Sequence, residues 1–226
     1  MNKTVELVRQ WGEFEDKHPD GSIADFCRYQ LIHQREKENK LPLAGGVIPM
    51  IPEGLMLKLI GRIHRLNMTY AYSALEGTGV DQLEEFGMLL YIQQEKRPRK
   101  TDVIYAHLME LSSGTDMLNR LKSRGFINEY TDREDKRSKR LQLTPGGEKT
   151  IEKAIERVKK MATMMTRGMP KEDVLLCIKL LKGIDQEFSA LLPGHKGKSF
   201  DEVYGEVMAD AGKRESTDVA RKRTKG

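Results

Sequence analysis

Residues 136–140 place four cations in five positions, Lys136, Arg137, Lys139 and Arg140, with Arg133 just ahead of them. Guanidinium and ammonium groups at that density attract phosphate, arginine through its planar fork and lysine as a point charge. Shortly upstream, Ser112, Ser113, Thr115, Asp116, Asn119, Arg120 and Lys122 supply hydroxyl, carboxylate, amide and cationic groups. That set matches the donor and acceptor patterns on base edges in a DNA major groove. The chemistry on offer is recognition of a polyanion. Bond-breaking constellations are missing from the spacing. Histidines 18, 33, 64, 107 and 195 show neither H-E-x-x-H nor any close metal-ligand spacing. Gly197-Lys198-Ser199 copies the end of a phosphate-binding loop, but the glycine required further upstream is Leu192 and no apolar strand precedes it. The expectation is no enzyme, no metal and no cofactor.

Local signals say which elements present these groups. Ser113 reads as an N-cap with Asp116 completing a capping box, so a helix is expected to begin there. Met117, Leu118 and Leu121 recur at helical spacing, which leaves Thr115, Asp116, Asn119, Lys122 and Ser123 on the outer face, and Gly125 offers the left-handed position that ends it. Thr101 is expected to cap a preceding helix carrying Val103, Ile104, Ala106 and Leu108, with residues 110–112 as the turn between the two. Residues 130–143 hold a charged tip between apolar ends and close on the alternation Leu141, Gln142, Leu143, the pattern of two short strands. Thr144 as N-cap and Pro145 at the first helical position then open another helix. Helix, turn, helix and basic hairpin in that order predict a winged helix-turn-helix, a fold mainly α with a small β-wing.

The run 121–127, Leu-Lys-Ser-Arg-Gly-Phe-Ile, and the run 132–147 with its D-x-R-S-K wing and L-x-L-T-P-x-G exit resemble the MarR (multiple antibiotic resistance regulator) family over roughly residues 53–192. The resemblance implies a cytoplasmic, homodimeric winged-helix regulator, usually a repressor released by a small aromatic ligand or by thiol oxidation. It also places Asp135 and Arg137 at the D-x-R positions of the wing, where the acid would orient the arginine. Asp116 departs from the pattern, since many relatives are basic there.

The rest of the chain fits that plan. Residues 91–144 carry twelve Lys/Arg against eight Asp/Glu, whereas residues 1–90 carry ten against thirteen, so the positive excess lies in the half expected to meet DNA. Residues 1–52 read as an N-terminal extension of one or two amphipathic helices, turning at His18-Pro19-Asp20-Gly21, plus a connector over 41–52. The resemblance implies that residues 53–192 form the winged-helix domain, with dimerisation helices over about 53–77 and 145–192 and a DNA-binding lobe over about 80–144. Within it, 83–94 is apolar on nearly every side and should be a central buried helix. Residues 193–226 read as a basic, mobile tail with a short helix near 200–208. Cys27 and Cys177 are too few and too far apart for a disulfide framework, and each is expected to be a buried thiol. The methionines at 161, 164, 165 and 169 read as packing residues. No apolar stretch is long enough for a membrane span. His64, Met68 and Tyr70 are the candidates to line an effector pocket between the dimer helices and the lobe. The expected partners are double-stranded DNA, a second copy and a small aromatic ligand. A winged-helix module for protein-protein contact is the alternative.

Overall fold

The computed structural model describes residues 2–38 and 51–210 and divides into two compact units, one up to Gly61 and one from Arg62 onward. In the first unit, α1 (Lys3–Glu15) and α2 (Ile23–Glu38) are both capped locally. Thr4 N–H donates to Asn2 Oδ1 at 2.9 Å, and Ser22 and Asp25 form a reciprocal capping box. The interior between them is aromatic: Phe14 and Phe26 are buried and pack edge to face at 5.5 Å, with Trp11 5.2 Å from Phe26. Phe26 takes the inward place and its neighbour Cys27 is exposed, against the expectation of a buried thiol. Of the connector expected over 41–52, residues 41–50 lie outside the described residues. Pro52 itself opens α3 (Pro52–Leu75), which begins in the first unit and ends in the second.

The second unit is built around α4 (Leu83–Glu95), whose Met88, Leu89 and Ile92 are fully buried. Against it pack α5 (Lys100–Ala106), α6 (Leu111–Ser123), the hairpin strand β2 (Lys139–Leu143) and α7 (Pro145–Met165). One continuous apolar core results, running through Leu75, Val103, Ile104, Leu118, Leu121, Ile127, Leu141 and Ile151. β1 (Ile127–Thr131) pairs antiparallel with β2 in the register Ile127↔Leu143 and Thr131↔Lys139. Two further links extend the sheet: Leu141 N–H donates to Pro98 O at 3.0 Å, and Arg99 bridges to Arg140. Thr144 caps α7 as expected, its hydroxyl accepting from Gly147 N–H at 2.9 Å. Helix α8 (Lys171–His195) follows, and residues 200–210 are again helical. Pro193 does not end α8. It lies in the last turn, where the hydrogen bond it removes costs least. Cys177 is exposed because α8 buries no residue at all among the described residues, so its apolar face carries no cover.

The turn between α5 and α6 departs from the sequence expectation. Leu108 adopts a left-handed conformation (φ 54°), Met109 N–H donates to Ile104 O at 3.3 Å, and Leu108 N–H donates to Tyr105 O at 3.0 Å. This is a Schellman closure with leucine where glycine is usual. Helix α5 therefore ends three residues early and leaves Leu108 exposed. The turn is His107–Met109 and α6 restarts at Leu111, with Glu110 as an N-cap that makes no side-chain cap bond. Ser113 sits inside the first turn of α6, so neither it nor Asp116 caps the helix. Thr101 likewise lies inside α5, which starts from Arg99.

Candidate nucleic-acid interface

Helix α6 is amphipathic, with Gly114, Met117, Leu118 and Leu121 on its buried side. Gly114 fixes how close it comes to α5, because a Cβ there would stand 2.6 Å from Ile104 Cγ2. At its far end Arg124 lies over α4. Its guanidinium meets the buried Glu85 carboxylate at 2.6 Å and Asp81 at 2.7 Å, and it covers the Phe126 ring. Held at both ends, α6 turns Ser112, Ser113, Asp116, Asn119, Arg120 and Lys122 to solvent, with Thr115 half-buried. Arg120 leans back toward Glu85, its Nε 3.8 Å from the carboxylate.

A second cluster joins three elements on the same lobe. Glu129 on β1 places one carboxylate oxygen 3.5 Å from Lys122 Nζ on α6 and 3.8 Å from Lys100 Nζ on α5, and Lys100 Nζ also lies 3.5 Å from Asn119 Oδ1. Sequence reading missed Glu129 and Lys100, because nothing in local spacing shows that residues 29 positions apart meet.

The wing's base and tip are set by two aspartates. At the base Asp132 is buried (3% exposed), accepts from Arg140 Nε at 2.6 Å and from Glu134 N–H at 2.9 Å, and has Arg99 Nε at 3.5 Å. Arg140 also donates to Arg97 O at 2.9 Å. Arg140, expected to meet DNA, also pins the wing to the segment leading into α5. At the tip Asp135 accepts from Arg137 N–H at 3.0 Å and from Ser138 Oγ at 2.7 Å. The acid thus orients Arg137 through its backbone, not through its guanidinium. Lys139 donates to Thr131 Oγ1 at 3.0 Å. For Arg133, Lys136 and Arg137 the described residues offer no ion-pair partner, and all three are exposed at the tip.

The Glu134 amide first, and the Arg140 guanidinium after it, outweigh burial and hold the Asp132 carboxyl below its ordinary value. The Ser138 hydroxyl and the Arg137 amide do the same for Asp135. A depressed carboxylate contributes stability that is present above its unfolded pKa and lost as pH falls through the folded value. The wing should keep its amide protection on acidification to about pH 5 and lose it only below the ordinary aspartate range, near pH 4. Hydrogen exchange on residues 131–139 checks this, and loss of protection near pH 6 would contradict it.

The effector candidates are not gathered on one face of α3. His64 and Met68 are one turn apart, whereas Tyr70 lies about 200° around the helix from Met68 at about 100° per residue, and it is exposed with Ile63 and Leu66. Among the described residues no group of three His, Cys, Asp or Glu is arranged to hold a metal, and no helix is long and apolar enough to cross a membrane.

A helix-turn-helix carrying a β-hairpin wing beside it can be compared with known structures. A cysteine-to-serine mutant of MarR from E. coli, complexed with operator DNA, aligns over 61% of this chain and 99% of its own at 22% identity, with a TM-score of 0.55. This is the MarR winged-helix fold. A MarR-family transcriptional regulator from a Rhodococcus species has the same fold at TM-score 0.56, with 18% identity over 60% of this chain and 96% of its own. So does the PcaV regulator from Streptomyces coelicolor in complex with its natural ligand, at 0.55, with 15% identity over 64% of this chain and 98% of its own. No family model and no curated protein sequence matches the chain. At these identities the shared MarR fold accounts for about three fifths of the molecule.

Proposed function

We propose that the chain is a sequence-specific DNA-binding transcriptional regulator, a repressor that works as a homodimer and is released by a small aromatic ligand. One observation carries the reading: a helix held at both ends, with an exposed polar face, stands beside a hairpin whose tip cations have no ion-pair partner among the described residues. The helix suits a major groove and the tip suits the phosphates or minor groove next to it. In this reading Ser112, Ser113, Thr115, Asp116, Asn119 and Lys122 face the bases, and Arg133, Lys136 and Arg137 supply wing contacts. Arg120, Asp135, Lys139 and Arg140 act by holding those groups in place. The dimer would be built from helices over about 53–77 and 145–192, and the lobe over about 80–144 would bind the DNA. Supporting it, one protein of the same fold is described in complex with operator DNA, another with its natural ligand, and a third, CouR from Rhodococcus jostii, with p-coumaroyl-CoA.

Selection of duplexes from a random pool, followed by gel shift in a salt series, tests the reading. Enrichment of one sequence family supports it, and no enrichment over random DNA overturns it. Within that assay Arg137→Ala should weaken binding and reduce the slope of log K against log salt by roughly one, the loss of one phosphate contact. An unchanged slope would remove Arg137 from the interface.

A further inference from the structure

We infer that Glu129 is a specificity-determining residue of the lobe, holding two cations in place and setting the balance between operator and random DNA. The inference rests on the DNA-binding reading above. Its ground is the cluster in which one carboxylate oxygen lies 3.5 Å from Lys122 Nζ and 3.8 Å from Lys100 Nζ, while Lys100 reaches Asn119 Oδ1 at 3.5 Å. The Glu129 and Lys100 side chains are only 17% and 18% exposed, so the carboxylate is a built part of the surface where α5, α6 and β1 meet. Among the described residues the wing-tip cations Arg133, Lys136 and Arg137 have no such carboxylate beside them.

The physics follows from what random and specific binding need. Random DNA is held almost wholly by cations that find phosphates, and free lysines on long stems serve any sequence equally. A carboxylate between two lysines offsets one unit of charge and keeps both ammonium groups from following phosphates at will. It therefore subtracts from the sequence-independent term. The same carboxylate steadies Lys100, which in turn steadies the amide of Asn119 on the base-facing side of α6. A fixed amide discriminates base edges where a rotating one does not. Removing the Glu129 charge should then raise random binding and blur sequence preference together, an outcome opposite in sign to losing an ordinary DNA contact.

The test uses the full chain, a duplex selected for the wild-type protein and a random-sequence duplex of equal length. Glu129→Gln keeps the shape and removes the charge. It should bind random duplex roughly 3- to 10-fold more tightly, with a salt slope steeper by about 1–2, and the selected-to-random affinity ratio should fall. Glu156→Gln, on α7 and paired with Lys160 in the same helix, makes the same change in net charge and should leave the ratio unmoved. A second arm guards against a folding defect. Lys100→Gln should alter the slope little in the wild-type background, where Glu129 already offsets it, and by roughly one in the Glu129→Gln background. Unchanged or weaker random binding by Glu129→Gln overturns the inference, as does an equal effect of Lys100→Gln in both backgrounds or a ratio shifted as much by Glu156→Gln. If the wild-type protein selects no sequence, it is the DNA-binding reading that fails, and the two failures are separate results.

Discussion

Gly147→Ala is expected to destabilise the second unit by about 3 kcal/mol and to lower its melting temperature by about 6–12 °C. Gly147 lies in the first turn of α7, where its N–H donates to the Thr144 hydroxyl. A Cβ added there would stand 2.0 Å from Phe126 O and 2.9 Å from Phe126 C, a collision with backbone that no rotamer relieves. The same carbonyl accepts from Thr144 N–H at 3.0 Å. Pushing the strands away from α7 would therefore break that bond and disturb the adjoining pair Ile127↔Leu143. Gly146→Ala is the internal control, since its Cβ would find only ordinary contact, with Thr144 Oγ1 at 3.5 Å. Thermal melts of the two variants should differ clearly, and a Gly147→Ala protein that melts with the wild type would show the approach is looser than described.

What the sequence made legible was local. Thr144-Pro145 announces its helix because cap and first residue are neighbours, and Gly125 ends α6 at a positive φ that its type permits. The burial of α4 followed from its nearly continuous apolar composition, and the hairpin from alternation beside a charged tip. Leu108 was illegible because a left-handed leucine carries no compositional mark: the tertiary requirement of the α5–α6 crossing overrides the residue's own preference for a helix. Pairings distant in sequence were hidden for a different reason. Asp132 meets Arg140 only once the strand register is set, and Glu129 meets Lys100 only once α5 lies beside the sheet. Arg140 therefore read as a free cation, with no sign that its guanidinium also holds Asp132 and the Arg97 carbonyl. Cys177 marks a third limit, because periodicity tells which face of a helix is apolar and is silent on what covers it.

That uncovered face gives the other large expected effect. Helix α8 has Ile178, Leu181, Ile184, Phe188 and Leu192 along one stripe at helical spacing, each at least 40% exposed, and Leu175, Leu176 and Leu180 are exposed beside it. Leaving so many large apolar groups in water forgoes roughly 1.5–3 kcal/mol for each one that burial would gain. Pairing with a second copy would cover the stripe on both chains at once, since a two-fold interface uses the same patch twice. Leu181→Asp would place a carboxylate at the middle of that stripe in each copy. With no partner for either charge, the expected cost is on the order of 3–5 kcal/mol, a rise in the dimer dissociation constant of about a hundred- to several-thousandfold. Analytical ultracentrifugation should show a wild-type dimer and a folded Leu181→Asp monomer at the same micromolar concentration. The variant should also lose most of its affinity for a selected two-half-site duplex while keeping weak random binding, because each lobe still carries its own helix and wing. A wild-type monomer, or a Leu181→Asp protein of unchanged mass and unchanged operator affinity, would mean that α8 is covered by something other than a second copy.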